Sequence, residues 1–501
     1  MVNRVLRICW HSAVMSVHQT QPWTGEAVRA SLVGRWLWVA PVVLCALVAI
    51  AIQSLWIPLD ADVSWLITVS ERMLGGARLY VDIVEVNPPA SVWLYLPLVW
   101  VAHQIGTRPE AVVAAGFVAG GVVSSLCTAQ LASRLDDTPP PALVAFAAAF
   151  VTLIFPMAVF AQREHAALLL ALPPLTALAV IAEAKPLRPT TATAAGFAAG
   201  LVIVIKPHFA LAIVPAAIWA AYRRRSLLPF LPAVFAAGAA LALYAAAFLL
   251  WGQAYLAWLP AISRTYLQYH DSWWNVVVNP LLFPAIVLLL SLVLRPPKIP
   301  TLAITSGMAA IGFAVAAIIQ AKGYPNHLYP GAALGLFAAL VIVGRAPSSR
   351  QRRMVAAGLA AASFWQMNYW AILPDPRLAA AIREVAPPHP KMIALTGQLA
   401  TGHPVTRNIG GSWAGSRASL YFARLAHDRG LNDPIVADAY RKDIHDFAAD
   451  VARNSPDVVL VDREDKVWLM REPEIARAMQ GYAPRSREGE IEVWVRNAHA
   501  R

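Results

Sequence analysis

The run Ser91-Val92-Trp93-Leu94-Tyr95-Leu96-Pro97-Leu98-Val99-Trp100-Val101-Ala102-His103-Gln104-Ile105-Gly106 decides how this chain is threaded. It is apolar enough to enter a bilayer, yet it holds His103 and Gln104 and falls short of the roughly 20 residues that a ~30 Å hydrocarbon core demands. Counting it as a crossing reverses the orientation of everything after it. If it does not cross, Arg134, Lys185, Arg188, Arg223, Arg224, Arg225, Arg295, Lys298, Arg345, Arg350, Arg352 and Arg353 all share one side, the cytoplasmic one by the positive-inside rule. If it does, the triplet Arg223–Arg225 and the cluster Arg350–Arg353 move outside, against that rule. The run is therefore expected to be an interfacial helix on the outer face, with Trp93, Tyr95 and Trp100 at headgroup level.

The composition is that of a membrane protein. Of 501 residues, 58% are apolar and 14% charged, with a mean hydropathy of +0.53, which excludes a soluble enzyme and a disordered chain. Three cysteines, Cys9, Cys45 and Cys127, exclude a disulfide-stapled domain, and no disulfide is expected. The net charge of +12 sits in short clusters between apolar runs, so it reads as an orienting signal and not as a nucleic-acid surface.

Spans are expected near 36–57, 111–132, 141–161, 166–182, 191–205, 209–222, 227–251, 276–294, 301–320, 328–344 and 354–373. Residues 1–35 form a cytoplasmic segment with Arg4, Arg7, Arg29 and Arg35. No cleavage site follows the first span, which reads as an anchor. The pair 191–222 is short around Lys206-Pro207, and a single span there would reverse the parity downstream.

After Trp370 the composition changes. Residues 374–501 gain charge and lose long apolar runs. Lys391–Thr396, Val458–Asp462 and Ile491–Val495 are β-rich and alternate with helical patterns at Arg417–Arg429 and Pro473–Met479, so a small α/β domain is expected on the outer side. The expected fold class is thus an α-helical polytopic membrane protein of about eleven transmembrane helices (36–373) with a C-terminal soluble α/β domain.

Polar residues other than the orienting cations gather on the outer face. The first outer loop, 57–110, holds Asp60, Asp62, Glu71, Asp82 and Glu85. Later outer loops hold Arg163, Glu164 and His165, then Lys206 and His208, then Tyr266, His270 and Asp271, then Lys322, Asn326 and His327. Carboxylates opposite Arg163, Lys206 and Lys322 suit a lipid with a phosphate head whose reactive carbon meets an acceptor hydroxyl. A carboxylate removes the hydroxyl proton as general base, and cations stabilise the charge that develops on the departing phosphate. Such charges also serve as solvated or interfacial anchors.

The sharper feature is Pro58-Leu59-Asp60-Ala61-Asp62-Val63-Ser64-Trp65, which opens a helical stretch ending at Gly75-Gly76. Tyr80-Val81-Asp82-Ile83-Val84-Glu85-Val86-Asn87-Pro88-Pro89 follows. This segment resembles the multi-spanning glycosyltransferases of the GT-C fold, the class of the lipid A aminoarabinose transferases, protein O-mannosyltransferases and rhizobial galacturonosyltransferases. The resemblance is strong across 58–97 and extends by order of features over 36–210. Tyr80, Asp82, Pro88 and Pro89 match, and counting back through Gly76 puts Asp62 on the leading acidic position, with Asp60 two residues before it. Val63 stands where a second acid is usual and Asn87 where many members carry lysine, so the base lies between Asp60 and Asp62.

The resemblance implies an inverting membrane glycosyltransferase, hexosyl or pentosyl, of the bacterial inner membrane. It would move a sugar from a polyprenyl-phosphate donor to an outer-face glycolipid, polysaccharide or lipopolysaccharide. Asp62, Asp60 and Glu164 would be catalytic. Arg163, His165, Lys206, His208, Lys322, His327, Tyr80, Asp82 and Glu85 would bind substrate. Some members bind a divalent metal ion, for which Asp60, Asp62, Glu164 and His165 could supply ligands, although no tight ligand spacing exists. Gly116–Gly121 and Gly196–Gly200 lie inside apolar helices and read as packing positions, not a dinucleotide site. The alternative class is a polytopic transporter or flippase of a lipid-linked or anionic substrate, whose ionisable groups would sit near the bilayer midplane. Only Lys206 would suit it. The glycine-, serine- and threonine-rich loop Gly397–Arg417, with His403, Arg407, Asn408, Trp413 and Arg417, suits a carbohydrate face or a plain connection, and the C-terminal domain is expected to shape acceptor choice and to carry no catalytic group.

Overall fold

The computed structural model describes residues 25–55, 59–267, 299–345 and 376–497, with isolated positions between 270 and 279 and between 350 and 362. Helix α1 (Gly25–Leu55) leads to α2 (Ala61–Leu74), whose N-cap Asp60 accepts the Asp62 N–H at 2.8 Å. A side-chain oxygen here satisfies an amide that the first helical turn leaves without a partner. Gly75 ends α2, and Gly76 follows at φ +98, in the left-handed region open to glycine.

Ser91 to Gly106 folds as two short helices, α3 (Ala90–Trp93) and α4 (Leu96–Gln104). Pro97 occupies the first turn of α4, where its missing N–H is harmless. The 9 residues of α4 rise about 14 Å, less than half of a hydrocarbon core. Neither helix alone is long enough to cross.

The bundle continues through α5 (Pro109–Ala132), α6 (Pro141–Ala149, extended by a π turn to Ile154), α7 (Arg163–Ala182), α8 (Pro189–Ile205), α9 (Ala210–Arg224), α10 (Leu231–Ala247), α11 (Tyr255–Arg264), α12 (Thr301–Gln320) and α13 (Pro325–Arg345). Among the described residues, 6 stretches are long and apolar enough to cross a membrane: Trp38–Leu55, Pro109–Ala132, Arg163–Ala182, Leu228–Gly252, Thr301–Gln320 and Pro325–Arg345. The expected count of about eleven exceeds this. Pro141–Ile154 and Pro189–Ile205 are apolar but shorter, and 276–294 and 354–373 lie, but for isolated positions, outside the described residues.

The break at Lys206-Pro207 separates two helices that run in opposite directions. Gly196 abuts Ala233 and Gly200 abuts Ala237, so α8 and α10 are packed side by side and parallel. Parallel neighbours require the chain to return between them, which is the work of α9. The approach is close: a Cβ on Gly196 would stand 2.1 Å from the Ala233 carbonyl.

Contacts at helix ends define two faces. At one face, Gly252 meets Pro89, Gln320 meets His208, and Lys206 and Asn326 meet Glu164. At the other, Asp137 accepts the Thr301 N–H at 3.2 Å and Gly344 packs on Pro139 and Leu143.

The C-terminal domain begins, within the described residues, at α14 (Pro376–Val385). It contains β1 (Lys391–Leu395), β2 (Ser412–Trp413), α15 (Tyr421–Arg429), α16 (Pro434–Asn454), β3 (Val458–Asp462), β4 (Tyr482–Glu488) and β5 (Ile491–Arg496). The sheet order is β2-β1-β3-β5-β4, with β1 parallel to β2 and β3 and the remaining pairs antiparallel. The buried apolar strand β3 forms its centre. The domain packs on the first loop: Val84 N donates to Ser416 O at 2.9 Å, and Arg72 donates to Gly415 O at 2.6 Å. It therefore stands on the face where Asp60 and Glu164 lie.

Candidate active site

The site forms where α2, α7 and α13 begin and α8 ends. Before α7 the chain makes a tight turn with Met157 at φ +45 and Ala161 at φ +63, conformations that cost a residue with a Cβ about 1–2 kcal/mol each. His165 holds this turn. Its Nδ1 accepts the Ala161 N–H at 3.0 Å, its Nε2 lies 2.7 Å from Thr152 O, and Phe117, Phe160 and Tyr329 surround the ring. Both nitrogens are thus taken by main chain. His165 shapes the turn and does not reach the cluster that Gln162, Arg163 and Glu164 enter.

Gln162 Nε2 donates to Asp60 Oδ1 at 2.6 Å and lies 3.4 Å from Asp62 Oδ2. Arg163 is 4% exposed, with Nη2 3.5 Å from Asp62 Oδ2. Its Nε and Nη1 are buried without a hydrogen-bond partner among the described residues. Asp62 keeps 38% of its side chain exposed. The Asp60 carboxyl is pushed up to about 7, first by burial and then by the neighbouring charge of Asp62.

Glu164 is the hub of the second half. Its Oε1 accepts from Lys206 Nζ at 2.5 Å and Asn326 Nδ2 at 3.3 Å, and His327 Nε2 stands 3.7 Å away. Glu164 Oε2 and His327 Nδ1 are buried and unpartnered among the described residues. Buried polar atoms without partners are uncommon. Here they share one cluster with the two open nitrogens of Arg163.

Lys322 is buried, donates to Tyr266 O and lies 3.6 Å from the centre of the Tyr266 ring. Burial, then Arg429 and Lys206, lower its ammonium to about 8. His208 meets Gln320 Nε2 at 3.0 Å and is brought down to about 4 by burial and Lys206.

Three first-loop residues stand apart from direct contact with this cluster. Tyr80, at φ +66, donates from its hydroxyl to Asn87 O at 2.5 Å and shapes the loop. Asp82 is exposed and bound to Arg78 at 3.0 Å, which holds its carboxyl low. Glu85 is buried and accepts from Trp65 Nε1 at 2.5 Å and from the Asn87 main chain at 2.9 Å. Burial raises its carboxyl.

The four residues suggested for a metal do not form a shell. His165 faces main chain and one Glu164 oxygen is taken by Lys206. Among the described residues no group of three His, Cys, Asp or Glu side chains is placed to hold an ion.

No family model and no curated protein matches this sequence. The structure, however, is similar to ArnT from Cupriavidus metallidurans bound to undecaprenyl phosphate, with a TM-score of 0.55 and 13% identity, covering 92% of this chain and 98% of that one. The same protein in its apo state gives 0.51 at 13% identity over 94% and 99%. The fold is the GT-C fold. Within it, Gln162 and Asn326 complete the polar cluster although neither was among the expected site residues. Gln162 adjoins Arg163 and Glu164, and Asn326 stood among the outer-face polar residues beside His327.

Proposed function

We propose that the chain is a membrane glycosyltransferase that takes a sugar from a polyprenyl-phosphate donor and transfers it with inversion to a hydroxyl of an outer-face glycolipid or polysaccharide. The observation that carries this reading is the arrangement of half-exposed Asp62 against buried Arg163, beside the Glu164–Lys206–Asn326–His327 cluster. A reachable carboxylate adjoins buried cations at one bundle end. The bound undecaprenyl phosphate of the structurally similar ArnT supports a lipid-phosphate donor.

In this reading the acceptor oxygen attacks the anomeric carbon as its proton passes to the Asp62 carboxylate. The carbon–oxygen bond to phosphate breaks, and its electron pair leaves with the polyprenyl phosphate. Asp60 is ill suited to be the base, because its Oδ1 already accepts from Gln162 and from the Asp62 N–H. Arg163, Lys206, His327 and Lys322 surround the departing phosphate and stabilise its charge. Asn326 and Glu164 hold Lys206 and His327 in place.

The test is purified protein in nanodiscs with a polyprenyl-phosphate sugar and candidate acceptors. A new glycoside should form with this donor and not with UDP- or GDP-sugars alone. Transfer from a nucleotide sugar without lipid carrier would reject the proposal.

A further inference from the structure

The C-terminal domain touches α2 at consecutive turns of one helix face. Trp65, Thr68, Glu71 and Arg72 follow the spacing of neighbours on a helix surface, and each meets a residue between 403 and 415. The ring of His403 lies 5.3 Å from that of Trp65 and 4.5 Å from that of Trp413. Arg407 reaches Thr68 Oγ1 at 3.3 Å and grips both oxygens of Glu71, one through Nη2 at 3.1 Å and the other through Nη1. Arg72 closes the row on Gly415 O at 2.6 Å.

Arg407 has a third partner. Its Nε donates to Glu110 Oε1 at 2.6 Å, in the first turn of membrane helix α5. One guanidinium, 12% exposed, therefore ties the domain to α2 and α2 to the bundle. The planar fork suits two carboxylates at once, a geometry that lysine cannot reproduce. Trp65, the first residue of the row, also donates to Glu85 and so connects the row to the Tyr80–Asn87 loop.

We propose that Arg407 is a positioning residue, and that the C-terminal domain uses it to fix the helix that presents Asp60 and Asp62. The loop 397–417 then acts on the reaction through α2. This rests on the glycosyltransferase reading for its rate effects, while its structural consequence can be measured without any substrate. A shift of a reacting group by about 1 Å can cost 10²-fold in rate. That is the scale of effect a loosened α2 should show.

The experiment compares wild-type full chain, Arg407→Ala, Arg407→Lys and Glu71→Gln in nanodiscs, by amide hydrogen exchange and by transfer kinetics. Arg407→Ala should raise exchange of the amides of 63–74 at least about tenfold with β1 and β3 unchanged. It should lower kcat about 10²-fold with donor KM within about twofold. Glu71→Gln and Arg407→Lys should shift both readouts in the same direction by less, and they carry the test if Arg407→Ala does not fold. Unchanged α2 exchange in the folded variants overturns the proposal. So does a raised acceptor KM with kcat retained, which would make the loop an acceptor contact. If wild type transfers no sugar from any lipid donor while Arg407→Ala still loosens α2, the glycosyltransferase reading fails and the positioning role stands.

Discussion

Lys206 Nζ lies 2.5 Å from Glu164 Oε1, and the pair is almost wholly withdrawn from solvent, with side chains 12% and 0% exposed. It joins the break between α8 and α9 to the first turn of α7. Asn326 and His327 bring α13 to the same oxygen. Three segments distant in sequence are thereby fixed at one charge, and Glu164 is better suited to hold cations than to accept a substrate proton.

Breaking this pair from one side should leave an uncompensated buried charge. Lys206→Met is expected to destabilise the protein by ~3–5 kcal/mol, read as thermal or denaturant unfolding in detergent. Lys206→Met with Glu164→Gln should recover much of that loss, because no lone charge remains. Strictly additive single and double effects would show that the two side chains are not coupled.

Rate should depend on pH through Asp60. With its carboxyl raised to about 7 by burial and by Asp62, Asp60 is protonated below that pH. It then lacks the negative charge that favours proton transfer to Asp62. The value of kcat/KM should therefore rise as pH increases through about 7 and level off above it. Asp60→Asn carries no titrating group, so this limb should disappear. A flat wild-type profile, or a limb that persists in Asp60→Asn, contradicts the assignment.

Topology is testable by labelling. In a chain freed of Cys9, Cys45 and Cys127, a cysteine at Arg377 should react with a membrane-impermeant thiol reagent added from outside. One at Arg224 should react only after the cells are opened. External labelling at Arg224 would invert the bundle and put the site on the cytoplasmic face.

Much of the framework was legible because it is local. The limits of α2 follow from Asp60 as cap and Gly75 as stop. The short helices within 91–106 follow from the shortness of that apolar run. The strand Val458–Asp462 is an apolar run buried along its whole length. What escaped is tertiary. Gln162 reaches Asp60 across 102 positions, and no sequence signal connects them. His165 directly follows Arg163 and Glu164 and so resembles a ligand, yet the helix carries it among Phe117, Phe160 and Tyr329 and onto main chain. Strand β4 is a polar edge with charged residues, the composition that protects an open sheet edge and hides a strand from hydropathy. Loop 397–417 gave no sign of docking on α2, because the carboxylates that hold Arg407 lie nearly 300 positions or more away.

The most direct test is single-turnover transfer by wild type, Asp62→Asn and Asp60→Asn, each preloaded with a polyprenyl-phosphate sugar and then mixed with acceptor, with donor binding measured separately. Wild type should release one polyprenyl phosphate for each inverted glycoside formed. Asp62→Asn should bind donor as before and transfer ~10²- to 10⁴-fold more slowly, with Asp60→Asn less impaired. Wild-type turnover by Asp62→Asn, with or without loss in Asp60→Asn, would contradict the assignment of Asp62 as the base beside Arg163.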